Sequence, residues 1–164
     1  MKKAVMIHKF MLALFLTMVA NGWVYSQNAR IKIDTDRTIG QIDPLIYGNF
    51  VEHLGRCVYG GIYEPGSPLS DENGFRKDVL NAAKDLNISI VRYPGGNFVS
   101  NYHWLDGVGP ERIPRMELAW ARLETNKFGT NEFIKYSRAL GTEPHFAVNL
   151  GTGTIEEAQR WVEY

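Results

Sequence analysis

Apolar positions along the chain switch between two periods. Three short apolar runs, at 45–51, 88–93 and 145–148, are each followed by a loop and then by apolar residues at helical spacing. Phe75, Val79, Leu80, Ala83 and Leu86 lie on one face of a helix predicted over 74–87, with Asn73 as its N-cap. A second helix is predicted over 131–140, after Thr130 as N-cap and before Gly141 as a C-terminal stop. A third opens at Thr154, and Glu157 three residues on completes a capping-box pattern. The strands are read as 45–52, 88–93 and 143–149. Strand and helix alternating in this way build a parallel sheet. The segment 30–36 differs: Ile31 and Ile33 alternate with Lys32 and Asp34, the pattern of a half-buried strand. It reads as a separate β element ahead of the parallel unit.

Two long loops separate these elements, 53–73 and 94–129. Loops of such length are uncommon unless functional or disordered, and Tyr59 and Tyr63 argue against disorder in the first. A short helical piece is expected near 117–123 in the second. Glu52, Asn97 and Asn149 each fall where a strand gives way to its loop, which is where a (β/α) barrel assembles its active site. The fold class expected is α/β, the N-terminal part of a (β/α)₈ barrel. Three strands cannot close such a barrel, which takes eight and about 250 residues. The chain therefore reads as the N-terminal part of a longer protein.

The opening residues change the domain picture. Lys2, Lys3 and Lys9 precede an uncharged, mostly apolar run over 10–20, and Val24-Tyr25-Ser26 is an acceptable small-residue cleavage site. This is the three-part pattern of a secretory signal, and the run is short for a membrane span. The expected organisation is a signal peptide over 1–26, the β element over 27–44 and the partial barrel over 45–164. Removing the signal takes away three lysines and no acid. The remaining 138 residues carry 15 basic and 18 acidic side chains, a net charge of −3. That balance gives no basic footprint for nucleic acid. Cys57 is the only cysteine, so no intrachain disulfide or Cys-based zinc cluster can form. It reads as a buried structural thiol.

The densest chemical signal is Arg92-Tyr93-Pro94-Gly95-Gly96-Asn97-Phe98. Pro94 ends the strand, the glycines let backbone approach a ligand, and the Asn97 amide both donates and accepts, which suits sugar hydroxyls. Arg92 is placed to hold a carboxylate inside the barrel. Glu52, ending strand one, is placed to accept from substrate hydroxyls or to pair with Arg56. Tyr102, Trp104 and Trp120 offer faces for sugar rings or for loop packing. Asn149-Leu150-Gly151-Thr152-Gly153-Thr154 is half of a dinucleotide fingerprint. The third glycine is replaced by Glu156, which would repel a pyrophosphate. His53, His103 and His145 lack metal spacing and read as polar or packing residues, and no Gly-x-Ser-x-Gly elbow exists.

These motifs, taken in order, resemble a known family. Gly48-Asn49-Phe50-Val51-Glu52-His53-Leu54-Gly55-Arg56 and Tyr59-Gly60-Gly61-Ile62-Tyr63 look like the opening of family 51 glycoside hydrolases, the α-L-arabinofuranosidases. The likeness continues through 91–98, Trp104, 106–110, 118–120, 124–126, 128–130 and 148–154, covering about residues 40–164. The resemblance implies a catalytic (β/α)₈ barrel followed by a β-sandwich, to which the first strand would contribute. It implies release of terminal non-reducing α-L-arabinofuranosyl groups from arabinan, arabinoxylan and oligosaccharides. It implies a retaining mechanism with two glutamates about 5–5.5 Å apart. By the same resemblance Glu52 and Asn97 bind arabinose hydroxyls, Arg92 supports the site from within the barrel, and Trp120 and Asn149 contribute to the pocket wall. The family's acid/base follows an Asn on strand four and its nucleophile lies on strand seven. Both are expected beyond Tyr164. Glu52, Glu124 and Glu156 do not stand in for them, since none follows an Asn. The 164-residue chain alone is expected to be inactive and insoluble, its strand edges unpaired.

Two rivals remain at this stage. One is a related glycosidase acting on β-xylosides or β-glucans; the other is a catalytically dead sugar-binding protein. No cofactor or metal is implied. The expected partners are arabinose-containing oligo- and polysaccharides, with no nucleic acid and no membrane after signal cleavage. The full-length form leaves room for a homo-oligomer. Export to the periplasm or the medium is expected from the signal.

Overall fold

The structure is a computed structural model and describes Met11 and residues 29–164; the signal-peptide reading lies outside the described residues. The chain divides into two units, Met1–Gly40 and Gln41–Tyr164.

In the first unit, residues 29–40 form no strand. The segment expected as a β element, 30–36, has no strand partner among the described residues; it carries a turn at Thr35-Asp36, and Ile31 and Ile33 are exposed. An alternating pattern encodes only a face; a strand also needs a neighbour to take its N–H and C=O groups, and no described residue pairs with it.

The second unit holds a three-stranded parallel sheet in the order β1 (Asn49–Phe50), β2 (Ile90–Tyr93), β5 (Glu143–Phe146). Asn49 lies opposite Val91 and Phe50 opposite Arg92, while Ile90 to Tyr93 run opposite Glu143 to Phe146. The helices are α1 (Lys77–Asp85), α2 (Thr130–Leu140) and α3 (Ile155–Glu163). The mixed α/β class and the parallel pairing agree with the alternation of elements in the sequence. Strand one is shorter than expected: Pro44–Tyr47 forms a 3-10 turn, capped by Asp43, whose side chain accepts from Leu45 N–H at 2.9 Å. Proline at the first helical position suits such a turn.

Helix boundaries follow local backbone chemistry. α1 starts three residues later than expected, because Phe75 and Arg76 bridge to Tyr63 and Ser70. Asn73 is therefore not its cap; it sits in a turn around Asp71, whose carboxylate accepts from Asn73 and Phe75 N–H. α2 begins at Thr130 itself, after Gly129. It ends where Gly141 adopts φ 81°, its N–H bonded to Ser137 and Arg138 carbonyls. That left-handed stop is the one expected of glycine. At α3, Thr154 Oγ1 accepts from Glu157 N–H at 3.1 Å. The Glu157 carboxylate does not return to the cap; it lies 3.0 Å from His103 Nδ1. The expected helix at 117–123 is a hairpin, β3 (Arg115–Glu117) and β4 (Arg122–Glu124), joined by a turn. The Glu117 carboxylate accepts from the N–H groups of Ala119 and Trp120, and Ala121 adopts φ 50°. Those bonds satisfy the turn locally and leave no helical ladder.

The core is aromatic. Tyr93 stacks on Phe133 of α2 with ring centroids 4.6 Å apart. Phe146 meets Phe133 and Trp161 edge-on. Phe75 packs against Tyr136, tying the first loop to α2. Along β2, Val91 and Tyr93 are buried whereas Ile90 and Arg92, on the other face, are half-buried.

Candidate active site

The carboxyl ends of β1 and β2 meet at the rim of the sheet. The ladder runs on past β1, with Val51 N–H donating to Arg92 carbonyl at 2.8 Å and His53 N–H to Pro94 carbonyl at 3.3 Å. This register holds Glu52 beside the turn that follows β2. The Glu52 carboxylate accepts from Gly96 N–H at 2.9 Å. Gly95 has φ 134°, and a Cβ there would fall 2.3 Å from Glu52 Cγ. A side chain at 95 is thus excluded on both conformational and steric grounds. Asn97 follows directly, exposed at the start of a 3-10 turn over Asn97–Asn101. Glu52 is thus bonded, 44 positions away in sequence, to the residue that precedes Asn97. The alternative pairing of Glu52 with Arg56 does not form; Arg56 donates to Gly60 carbonyl.

Below this rim lies a buried polar network. His53 Nδ1 is 3.0 Å from Glu124 Oε2, and His53 Nε2 is 3.3 Å from Tyr93 Oη. Glu124 Oε1 accepts from Tyr59 Oη and, at 2.7 Å, from Asn126 N–H. Tyr93 Oη donates to Phe128 carbonyl and lies 3.1 Å from Tyr102 Oη. Burial pushes the Glu124 carboxyl up. Its bonds from His53, Tyr59 and Asn126 N–H outweigh that effect, so it lies below its ordinary value. Burial raises Tyr59, Tyr93 and Tyr102, which stay protonated as donors. Sequence reading left His53 as a packing residue and Glu124 without a role. Their partnership spans 71 positions, and no periodic signal reports a contact of that range.

Beside the network is a cleft of about 370 Å³ lined by His53, Tyr59, Phe98, Trp120, Arg122 and Glu124, among others. Trp120, in the hairpin turn, is partly exposed at its edge. Arg92 extends from β2 over the Phe50 ring, 5.1 Å from its centroid, and its Nε is buried without a hydrogen-bond partner among the described residues. The carboxylate partner expected for Arg92 is not among the described ion pairs. Asn149 is buried and fully engaged. Its amide donates to Tyr102 carbonyl and Thr152 Oγ1 and accepts from Gly151 and Thr152 N–H. It shapes its loop and brings no free group to the rim.

Other candidates have local partners. His103 faces Glu157, and Trp104 donates to Glu157 carbonyl. His145 is exposed on β5. Cys57 is exposed, a correction to the buried thiol, because its turn directs it outward while Val58 enters the core. Asn131-Glu132 is an Asn-Glu pair within the chain, yet Glu132 is held by Arg112 at 2.8 Å and by Gly129 N–H at 2.9 Å, as a helix cap.

A family model described as an alpha-L-arabinofuranosidase 1 domain matches residues 82–162. A probable alpha-L-arabinofuranosidase C from Aspergillus clavatus is 63% identical over 136 residues, which is 82% of this chain and 27% of that protein. These matches support a family 51 α-L-arabinofuranosidase segment. An intracellular exo-alpha-(1->5)-L-arabinofuranosidase from Halalkalibacterium halodurans is 54% identical over 83% of the chain and 28% of its own length. The thermostable family 51 α-L-arabinofuranosidase of Thermotoga petrophila superposes with TM-score 0.71 at 64% identity, over 73% of this chain and 25% of that one. The chain thus spans about a quarter of the length of the relatives it matches. The chain contains the turn where Glu52 meets Gly96, next to Asn97, and the hairpin bearing Trp120. Among its described residues no helix is long and apolar enough to cross a membrane.

Proposed function

We propose that this chain supplies the sugar-holding side of a (β/α)₈ α-L-arabinofuranosidase. The complete enzyme hydrolyses terminal non-reducing α-L-arabinofuranosyl groups from arabinan, arabinoxylan and oligosaccharides. The observation that carries this reading is that Glu52, past the end of β1, accepts from the Gly96 N–H next to Asn97, while the residues that follow them, His53 and Phe98, line an aromatic cleft. A carboxylate held at this turn and an exposed amide one residue past its partner suit a ring of hydroxyls. The family matches support the arabinofuranosyl group as the one held.

Glu52 and Asn97 bind arabinose hydroxyls, Arg92 steadies the inner face of the site, and Trp120 forms part of the wall. Asn149 acts through its loop, since its amide is already engaged. Catalysis is of the retaining type, with an acid/base and a nucleophilic glutamate contributed from outside this chain. The segment 30–36 completes a strand when a β-sandwich partner is supplied. The lysine-flanked apolar run at the start of the chain supports export, and the mass of the mature protein would check cleavage after Ser26.

The test is a chimera in which the matched segment replaces its counterpart in the Thermotoga petrophila enzyme. It is expected to hydrolyse nitrophenyl arabinofuranoside well ahead of nitrophenyl xylopyranoside. Preference for xylopyranoside would favour a β-xylosidase. Arabinose affinity without turnover would favour a sugar-binding protein.

A further inference from the structure

We propose that His53 and Glu124 form a positioning pair that sets the separation of Glu52 and Asn97 and holds the Trp120 hairpin beside them. The proposal rests on the reading of Glu52 and Asn97 as sugar-holding residues.

His53 occupies an unusual position relative to both. It follows Glu52 in the chain, so its place fixes the Glu52 Cα to within one virtual bond, about 3.8 Å. Its ring stacks on Phe98, with centroids 4.3 Å apart and planes 11° from parallel, and Phe98 follows Asn97. One imidazole therefore braces the immediate neighbours of both candidate residues. Both ring nitrogens are engaged, one by Glu124 and one by Tyr93. Rotation about the side chain would break both bonds at once.

Glu124 carries the coupling outward. It ends β4, the strand that returns from the turn bearing Trp120. Its carboxylate gathers His53, Tyr59 and Asn126 N–H into one cluster. An apolar pair could fill the same volume. It would not fix the rotation of the ring or the height of the hairpin, whereas a satisfied buried network specifies a single geometry. Removing one partner leaves either Glu124 Oε2 or His53 Nδ1 buried without the group it met, which is costly.

The experiment uses the chimera with His53→Ala, Glu124→Ala, the double variant and Glu124→Gln. A displacement of about 1 Å in substrate-holding groups can lower rates about 100-fold, and kcat/KM is expected to fall by that order in either alanine variant, with KM raised. The double variant is expected to lose no more than the worse single one, since the pair acts as a unit. Glu124→Gln should recover most of the activity, because its amide still accepts from Tyr59 and Asn126 N–H and donates to the ring. If His53→Ala does not fold, His53→Phe keeps the stack on Phe98, loses both bonds and should show the same loss. A lowered unfolding midpoint with unchanged KM and kcat in the folded enzyme would overturn the proposal. So would losses that simply add. An unsubstituted chimera without arabinofuranosidase activity would instead remove the functional reading, and this role with it.

Discussion

Two adjacent residues of β2 face opposite sides of one sheet and differ in almost every respect. Tyr93 is fully buried, stacks on Phe133, and its hydroxyl meets His53, Tyr102 and Phe128. Arg92 is half-buried, its Nε has no partner among the described residues, and its one aromatic neighbour, Phe50, is itself exposed. The helix-facing side is thus saturated with contacts, while the opposite side is not. The difference teaches where this segment keeps its order. Aromatic packing and the His53–Glu124 network determine the rim, and parallel strands, which are normally covered on both faces, are covered on one.

The largest effect expected from this asymmetry concerns the chain expressed by itself. It should show no arabinofuranosidase activity above background and should elute as aggregate, because β1 and β5 present unpaired outer edges. Monomeric elution together with turnover would contradict both halves of the expectation. Next in size is Tyr93→Ala. In the chimera it should cost about 3–5 kcal/mol in denaturant unfolding, the range for removing a buried aromatic side chain. A cost below about 1 kcal/mol would mean that neither this ring nor its hydroxyl carries the order.

Acid should act through Glu124. Its folded carboxyl lies below the ordinary value of 4.5. Its contribution is therefore fully present above that pH and is lost as pH falls through the folded value. The unfolding midpoint of the chimera should drop as pH falls below the ordinary carboxyl value of 4.5 and on through the lower folded value, and the drop should shrink in Glu124→Gln. Equal drops in both proteins would assign the acid sensitivity elsewhere. The smallest effect is Arg92→Met, expected to change stability by less than about 1 kcal/mol while lowering kcat/KM. A loss matching that of Tyr93→Ala would erase the contrast between the two faces.

Much of the arrangement was legible along the chain. Apolar periodicity located the three helices of the segment 41–164 and its parallel strands, and Gly141 stopped α2 where a left-handed residue was needed. Pro94 and the two glycines marked the rim turn. What misled were local signals with two uses. Asn73 has the chemistry of a cap but serves a turn around Asp71. Glu117–Leu123 has helical composition but bends into a hairpin through the Glu117 carboxylate.

By itself, then, the sequence determined the alternation of strands and helices, the positions of the rim loops and the family resemblance, because these depend on spacing between near neighbours and on short motifs. Only the tertiary structure decided that Glu52 meets Gly96 beside Asn97 and that His53 joins Glu124. Each of those outcomes depends on which distant groups satisfy a buried carboxylate, imidazole or backbone amide. That matching is settled by three-dimensional packing and leaves no period in the chain.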